Sequence, residues 1–188
     1  MLYHVSSKTG LKTIQPHVST HKKAYVYAIE NMITGLLFGT KQDDFDFIIN
    51  TDEKGIPAIY ECYPNALKSV YQGKNCSVYL LDDDGFQRNK TSWSAELVCE
   101  NEVQVIDELI IDDLYNRLLD EERNERLIIH RYAYCDNYRK IISNHIVDRL
   151  IRFKIDLNSI TERDSRFLKY YKAIVAELMQ ITDGHLLP

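Results

Sequence analysis

The strongest constraint in this sequence is a change of hydrophobic period partway along it. Up to about residue 108 the apolar residues come in short runs rich in branched and aromatic side chains, such as 24–28 (AYVYA) and 77–81 (SVYLL). Beyond it the spacing turns helical. Ile111, Leu114, Leu118 and Leu119 share one face; so do Tyr138, Ile141, Ile142, Ile146, Leu150 and Phe153; so do Phe167, Tyr171, Ile174, Val175 and Leu178. A period of two buries one side of a strand and a period of 3.6 one side of a helix, so the two parts need different secondary structure. The expectation is an α+β protein, β-rich over residues 1–108 and helical over 109–188, the helices packing on the sheets or on one another. A chain of 188 residues has room for one domain with an appendage, or for two small domains with a core each.

Residues 2–5 read as a first strand, followed by a turn at Gly10 and a short helix over 11–14 that Pro16 ends. Residues 24–28 read as a second strand. A short helix follows over 30–39, with Ile33, Leu36 and Leu37 on one face and Gly39 as its stop. Strands are expected at 45–50, 58–63, 77–81, 92–99 and 103–106, with Asp83-Asp84-Gly85 as a hairpin turn. Ser159-Ile160-Thr161-Glu162 has the spacing of a capping box and starts a further helix.

Composition narrows the function classes. A net charge of −5 argues against nucleic acid as the main ligand. Seven glycines and four prolines are too few for long disorder, and the 13 tyrosines suit half-buried positions. The opening MLYHVSSKTG lacks the charged-then-apolar pattern of a secretory leader, and no apolar run is long enough to span a bilayer. Cys62, Cys76, Cys99 and Cys135 are scattered, with no CxxC pair. A cytoplasmic chain with unpaired thiols is the expectation.

Most clusters of reactive residues read as ordinary structure. Asp43, Asp44 and Asp46, and likewise Asp82, Asp83 and Asp84, lack the alternation of a calcium loop and read as solvated turns. His17 and His21 lie in a loop without a partner that would complete a zinc site, and His130 and His145 stand alone, so no metal is expected. Neither a G-x-S-x-G elbow, nor a Rossmann glycine run, nor a P-loop is present. What remains is a set of separated residues: His4, Tyr27, Phe38 and Glu96. Each taken singly has an everyday explanation.

Their order and neighbours resemble the ADP-ribosyltransferases of the His-Tyr-Glu class, the poly(ADP-ribose) polymerases and the toxins that modify elongation factor. Leu2-Tyr3-His4-Val5-Ser6-Ser7, with Gly10-Leu11 after it, is similar to the family's opening strand, whose usual form is Tyr/Trp-His-Gly-Thr/Ser. Val26-Tyr27-Ala28-Ile29-Glu30-Asn31, leading into a helix that ends at Phe38, resembles its second motif. Ser94-Ala95-Glu96-Leu97-Val98-Cys99 resembles its third, a strand opening on the catalytic glutamate, and Val103-Gln104-Val105 fits the strand after it.

The resemblance covers residues 1–108 and implies a bent two-sheet domain that takes NAD as substrate. It implies that His4 hydrogen-bonds the adenosine ribose, that the backbone of Val5 holds the carboxamide, and that Tyr27 and Phe38 sandwich the nicotinamide. It implies that Glu96 binds the nicotinamide ribose and stabilises the positive charge that forms there. Lys8, Lys12, Lys22 and Lys23 would be near the diphosphate. Three departures stand out. Val5 replaces a glycine whose missing side chain lets backbone approach the ligand, Phe38 replaces a second tyrosine, and Gly35 replaces a small polar residue. Three functions stay open: an ADP-ribosyltransferase acting on an unnamed acceptor or an NAD glycohydrolase, an inactive scaffold whose helical region engages a protein or a second copy of the chain, and a nucleotide sensor that binds without cleaving.

Overall fold

The computed structural model describes residues 1–18, 23–42, 45–91, 93–152 and 154. His21, Lys22, Asp43, Asp44, Phe153, the 159–162 capping box and the third expected helix lie outside the described residues. In chain order the elements are β1 (Leu2–Ser6), β2 (Thr13–Ile14), β3 (His17–Val18), β4 (Ala24–Ile29), α1 (Met32–Leu36), β5 (Phe47–Thr51), β6 (Pro57–Glu61), α2 (Ala66–Tyr71), β7 (Cys76–Leu81), β8 (Glu96–Cys99), β9 (Val103–Gln104), β10 (Asp107–Ile111), α3 (Leu114–Arg123), β11 (Ile128–His130) and α4 (Asp136–Arg152). The class is α+β. Every strand pair is antiparallel except β11 with β6.

Where structure and sequence reading differ, the cause is tertiary. Residues 13–14 are not helical: Thr13 and Ile14 pair with Gln104 and Val103, and Ile14 is buried. Four residues cannot nucleate a helix unaided. The Asp83 turn forms, with Phe86 N donating to Asp83 O at 3.2 Å and Gly85 at φ +75°. It closes no hairpin, because β7 lies between β1 and β10 while β8 pairs with β4. The strands make three sheets among the described residues rather than two.

The chain divides into two compact units, one of Met1–Gln42 with Lys68–Leu127, the other of Asp43–Leu67 with the chain from Ile128 onward. β10, which straddles residue 108, and α3, which lies beyond it, belong with the first strands. The reason is a ladder along the whole of β10, from Asp107↔Leu80 to Ile111↔Cys76 of β7.

In the first unit the sheet runs β10-β7-β1-β4-β3, with β8 also on β4. Residues directly opposite in an antiparallel pair share a face. Leu2, Ala28, Val26, Tyr79, Leu81, Leu97 and Cys99 therefore form one apolar face, closed by Ile14, Leu11, Val103 and Val105. The opposite face carries α1. Its N-cap Asn31 accepts from Ile33 N at 2.9 Å and Thr34 N at 3.0 Å through Oδ1. Gly35 is what lets α1 lie so close: a Cβ there would stand 3.0 Å from Val5 Cγ2 and 3.2 Å from Ile29 Cγ2. α3 buries Leu114, Leu118 and the carboxylate of Glu121, which Arg117 and Arg126 each meet at 2.7 Å.

The second unit has sheet order β11-β6-β5. The β5–β6 turn is set by Asp52, whose Oδ1 accepts from Lys54 N at 2.9 Å and Ile56 N at 2.7 Å. Asp46, expected on a solvated turn, is fully buried and accepts from Tyr63 Oη at 2.5 Å. A buried phenol supplies what solvent would have. Glu61 is buried as well, its two oxygens taking Leu67 N at 2.8 Å and Tyr132 N at 3.0 Å. His130 stacks on Tyr60, with centroids 4.0 Å apart. All four cysteines are free thiols. Among the described residues no helix is long and apolar enough to cross a membrane.

Candidate functional site

The site begins where a ladder stops. β4 pairs along one edge with β8, from Val26↔Cys99 to Ile29↔Glu96. β1 pairs with β4 at Tyr3↔Ile29 alone, and β3 only at the other end, at His17↔Tyr25 and Val18↔Ala24. Between these contacts β1 and β4 diverge. The carbonyl of Tyr27 in this gap is taken by a side chain instead: His4 Nδ1 lies 2.7 Å from it. A carbonyl only accepts, so Nδ1 carries the hydrogen. Burial depresses the His4 pKa below its ordinary 6.5, outweighing this hydrogen bond, and His17 pushes the same way. The ring is thus neutral at pH 7, with Nε2 as its acceptor nitrogen.

A cleft of about 180 Å³ opens beside the gap, and His4, Val5, Tyr27, Phe38 and Glu96 all line it. Tyr3, Ile29 and Glu96 form one cross-strand row and therefore share a face, and Tyr27, two residues from Ile29, shares it too. His4 lies on the other face of β1, in register with Tyr79. It reaches the cleft through the gap rather than across the sheet surface. There the cleft meets a second groove, of about 520 Å³, and His4 and His17 line both.

Two wall residues escaped the sequence reading as members of this set. Trp93 packs its ring on Phe38, with centroids 5.3 Å apart and planes at 50°. Its carbonyl accepts from Glu96 N at 3.1 Å, a turn that fixes where β8 and its glutamate begin. The available signal was that the single tryptophan of the chain stands three residues before Glu96. His17 meets the Tyr27 ring edge-on at 5.6 Å, and Tyr25 meets it at 5.9 Å. Phe38 sits at the rim, 43 % exposed.

The loop between β1 and β2 walls the larger groove and is held from beneath. Buried Tyr79 donates its hydroxyl to Lys8 O at 2.8 Å and accepts from Leu11 N at 3.2 Å. Glu108 Oε1 accepts from Ser77 Oγ at 2.6 Å and Gly10 N at 2.8 Å. The Ser77 bond first, then the Gly10 bond, hold the Glu108 carboxyl below the usual carboxylate range. Of the lysines considered for a diphosphate, Lys8 lines the groove, whereas Lys23 is engaged by Glu100 at 2.6 Å. Burial pushes the thiols of Cys62 up to about 12 and of Cys76 up to about 11, so neither is a nucleophile at neutral pH. No family model, curated protein or solved structure matches the chain.

Proposed function

We propose that the first unit binds NAD or a closely related nucleotide and transfers its ADP-ribose to an acceptor, as the ADP-ribosyltransferases it resembles do. The observation that carries this reading is the convergence of His4, Tyr27, Phe38 and Glu96 on one cleft at a split in the sheet. The finer fold assignment, the bent sheets of that family, is part of the proposal. It is supported by the divergence of β1 from β4 and by the separate β2–β9 pair.

The residues suit the ligand. A cleft of about 180 Å³ is below the range of about 300–1,000 Å³ that whole drug-sized ligands occupy; it suits one flat ring. Tyr27, Phe38 and Trp93 offer aromatic faces for it. The groove of about 520 Å³ has room for a nucleoside and phosphates, with Lys8 and the polar side chains of Ser6 and Thr13 along it. His4 Nε2, an acceptor between the two, suits a ribose hydroxyl. Val5 fits without glycine's freedom because its Cγ2 lies over Gly35, where α1 has no Cβ.

In the reaction the bond between nicotinamide and ribose breaks, its electron pair leaves with nicotinamide, and positive charge is left on the sugar. Glu96 stabilises that charge, as carboxylates do in glycoside cleavage. The acceptor then bonds to the same carbon and gives up its proton to solvent. The branched Val5 on the cleft wall favours a second reading, a module that holds nucleotide without cleaving it. Calorimetric titration of NAD tests the shared premise. Heat of binding is expected for wild type, with weaker affinity for Tyr27→Ala. No heat at millimolar NAD for wild type or for Val5→Gly would remove both readings in favour of a protein-binding scaffold.

A further inference from the structure

An edge strand is a template for another chain unless something blunts it, most often lysine, proline or a bulge on the strand. Among the described residues β10 is the last strand of the large sheet, paired with β7 on one side. Its sequence, DELII, holds neither lysine nor proline, and its register with β7 is continuous from Asp107 to Ile111. Ile106, Leu109 and Ile110 are 53, 45 and 53 % exposed there. Three large apolar side chains are thus half-exposed along one edge of the sheet.

The backbone of β10 indicates what fits. Ile106 N donates to Leu80 O at 2.9 Å, so Leu80 turns its pairing groups toward β10; Asp107 stands opposite Leu80, and Glu108 N, one residue on, faces away from the sheet, where it donates to Asp107 Oδ1 at 2.8 Å. By the period of two, Ile110 N faces the same way. The outward pairing groups are therefore those of Glu108 and Ile110. We infer that β10 pairs antiparallel with β10 of a second copy of this chain, about a two-fold axis at Leu109. In that register Glu108 of each copy exchanges backbone hydrogen bonds with Ile110 of the other, and Leu109 meets Leu109 in the closer, non-hydrogen-bonded type of pair.

The charges allow this register. Asp107 falls opposite Ile111 and Glu108 opposite Ile110, so no carboxylate faces its own counterpart. The Glu108 side chain is already bonded to Ser77 and to the Gly10 backbone. Asp107 has only to release the Glu108 N–H to its new partner. A self-complementary strand makes a closed, isologous contact, the commonest form of assembly. Because Glu108 also holds the loop over the larger groove, each copy would brace the other's groove wall.

The test is the size of the full chain in solution, read by sedimentation over a concentration series, with circular dichroism as the check on folding. Wild type should pass from monomer to dimer. Ile110→Pro removes an outward donor and leaves the β7 ladder intact, so it should stay folded and monomeric. Leu109→Lys sets like charges on the axis and should do the same. A third variant needs no loss of stability: with Cys135 changed to serine, Leu109→Cys should cross-link to a dimer on oxidation, since Cα atoms in such a pair are about 4.5 Å apart. Ile106→Cys in that background should not, its copies being about 20 Å apart at the strand rise. A wild type that stays monomeric at every concentration overturns the inference. So does a dimer that survives both Ile110→Pro and Leu109→Lys, or one that cross-links at Ile106 and not at Leu109.

Discussion

His4 shows how one side chain can join a fold to a site. Its Nδ1 closes the hydrogen bond that the parting strands leave open, and its Nε2 is thereby fixed as an acceptor. Burial holds its pKa below 6.5 in the folded chain, while the unfolded chain keeps the ordinary value. Between that lowered value and about pH 6.5 the unfolded state binds more protons, so folding stability is full above this window and falls as pH drops through it. Wild type should therefore lose more stability than His4→Gln between about pH 7 and about pH 5. His145, also lowered by burial, is common to both proteins and drops out of the difference. Thermal melts across pH give the answer, and parallel profiles would contradict it. At Tyr27 the expected effect is on affinity: Tyr27→Ala removes a stacking wall, worth about 1–3 kcal/mol by analogy with aromatic stacking on bases, and should raise the NAD dissociation constant by about fivefold or more in a titration.

At the scale of elements, the pairing of α1 with β1 and β4 rests on glycine. An alanine at 35 would gain about 1 kcal/mol of helix propensity. Its Cβ would meet two methyl groups at 3.0 and 3.2 Å, both on stiff branched residues held in strands. Overpacking of this kind costs about 1–3 kcal/mol. Gly35→Ala should thus destabilise the wild-type chain, yet stabilise or leave unchanged a Val5→Ala chain. Denaturant midpoints of the four proteins decide it; the same sign in both backgrounds would mean Val5 and Gly35 are not coupled. The strands around the site were legible in the sequence because branched and aromatic residues concentrate there: 24–28 and 77–81 form strands within a residue of the reading. α2, β10 and β11 were not legible. β11 is three residues long, and β10 opens on two carboxylates, one of them satisfied by Ser77 and Gly10 from distant segments. Asp46 misled for the same reason, since its partner is Tyr63. Trp93 joins Phe38 through a loop that periodicity does not describe.

For the whole molecule, the two interleaved units change what a truncation would do. Cutting after residue 108 removes most of β10 together with Leu114 and Leu118, which are fully buried in the first unit. Losing that much core exceeds the marginal stability of a small domain. A chain of residues 1–108 should show no cooperative melt, whereas residues 1–127 keep every strand of the first unit and should retain one; a cooperative melt for the shorter chain would contradict this. The candidate cleft lies wholly in that first unit, its residues drawn from β1, β3, β4, α1 and β8 and from the turns beside them. The central claim is that this cleft holds NAD and that Glu96 carries its cleavage. NAD binding and nicotinamide release, measured together for wild type and Glu96→Gln, test it most directly. The account predicts similar affinity in both proteins and a release rate lower by about a hundredfold or more in the variant, because the lost interaction is felt mainly in the transition state. Equal release rates in the two proteins, or no binding of NAD by either, would contradict it.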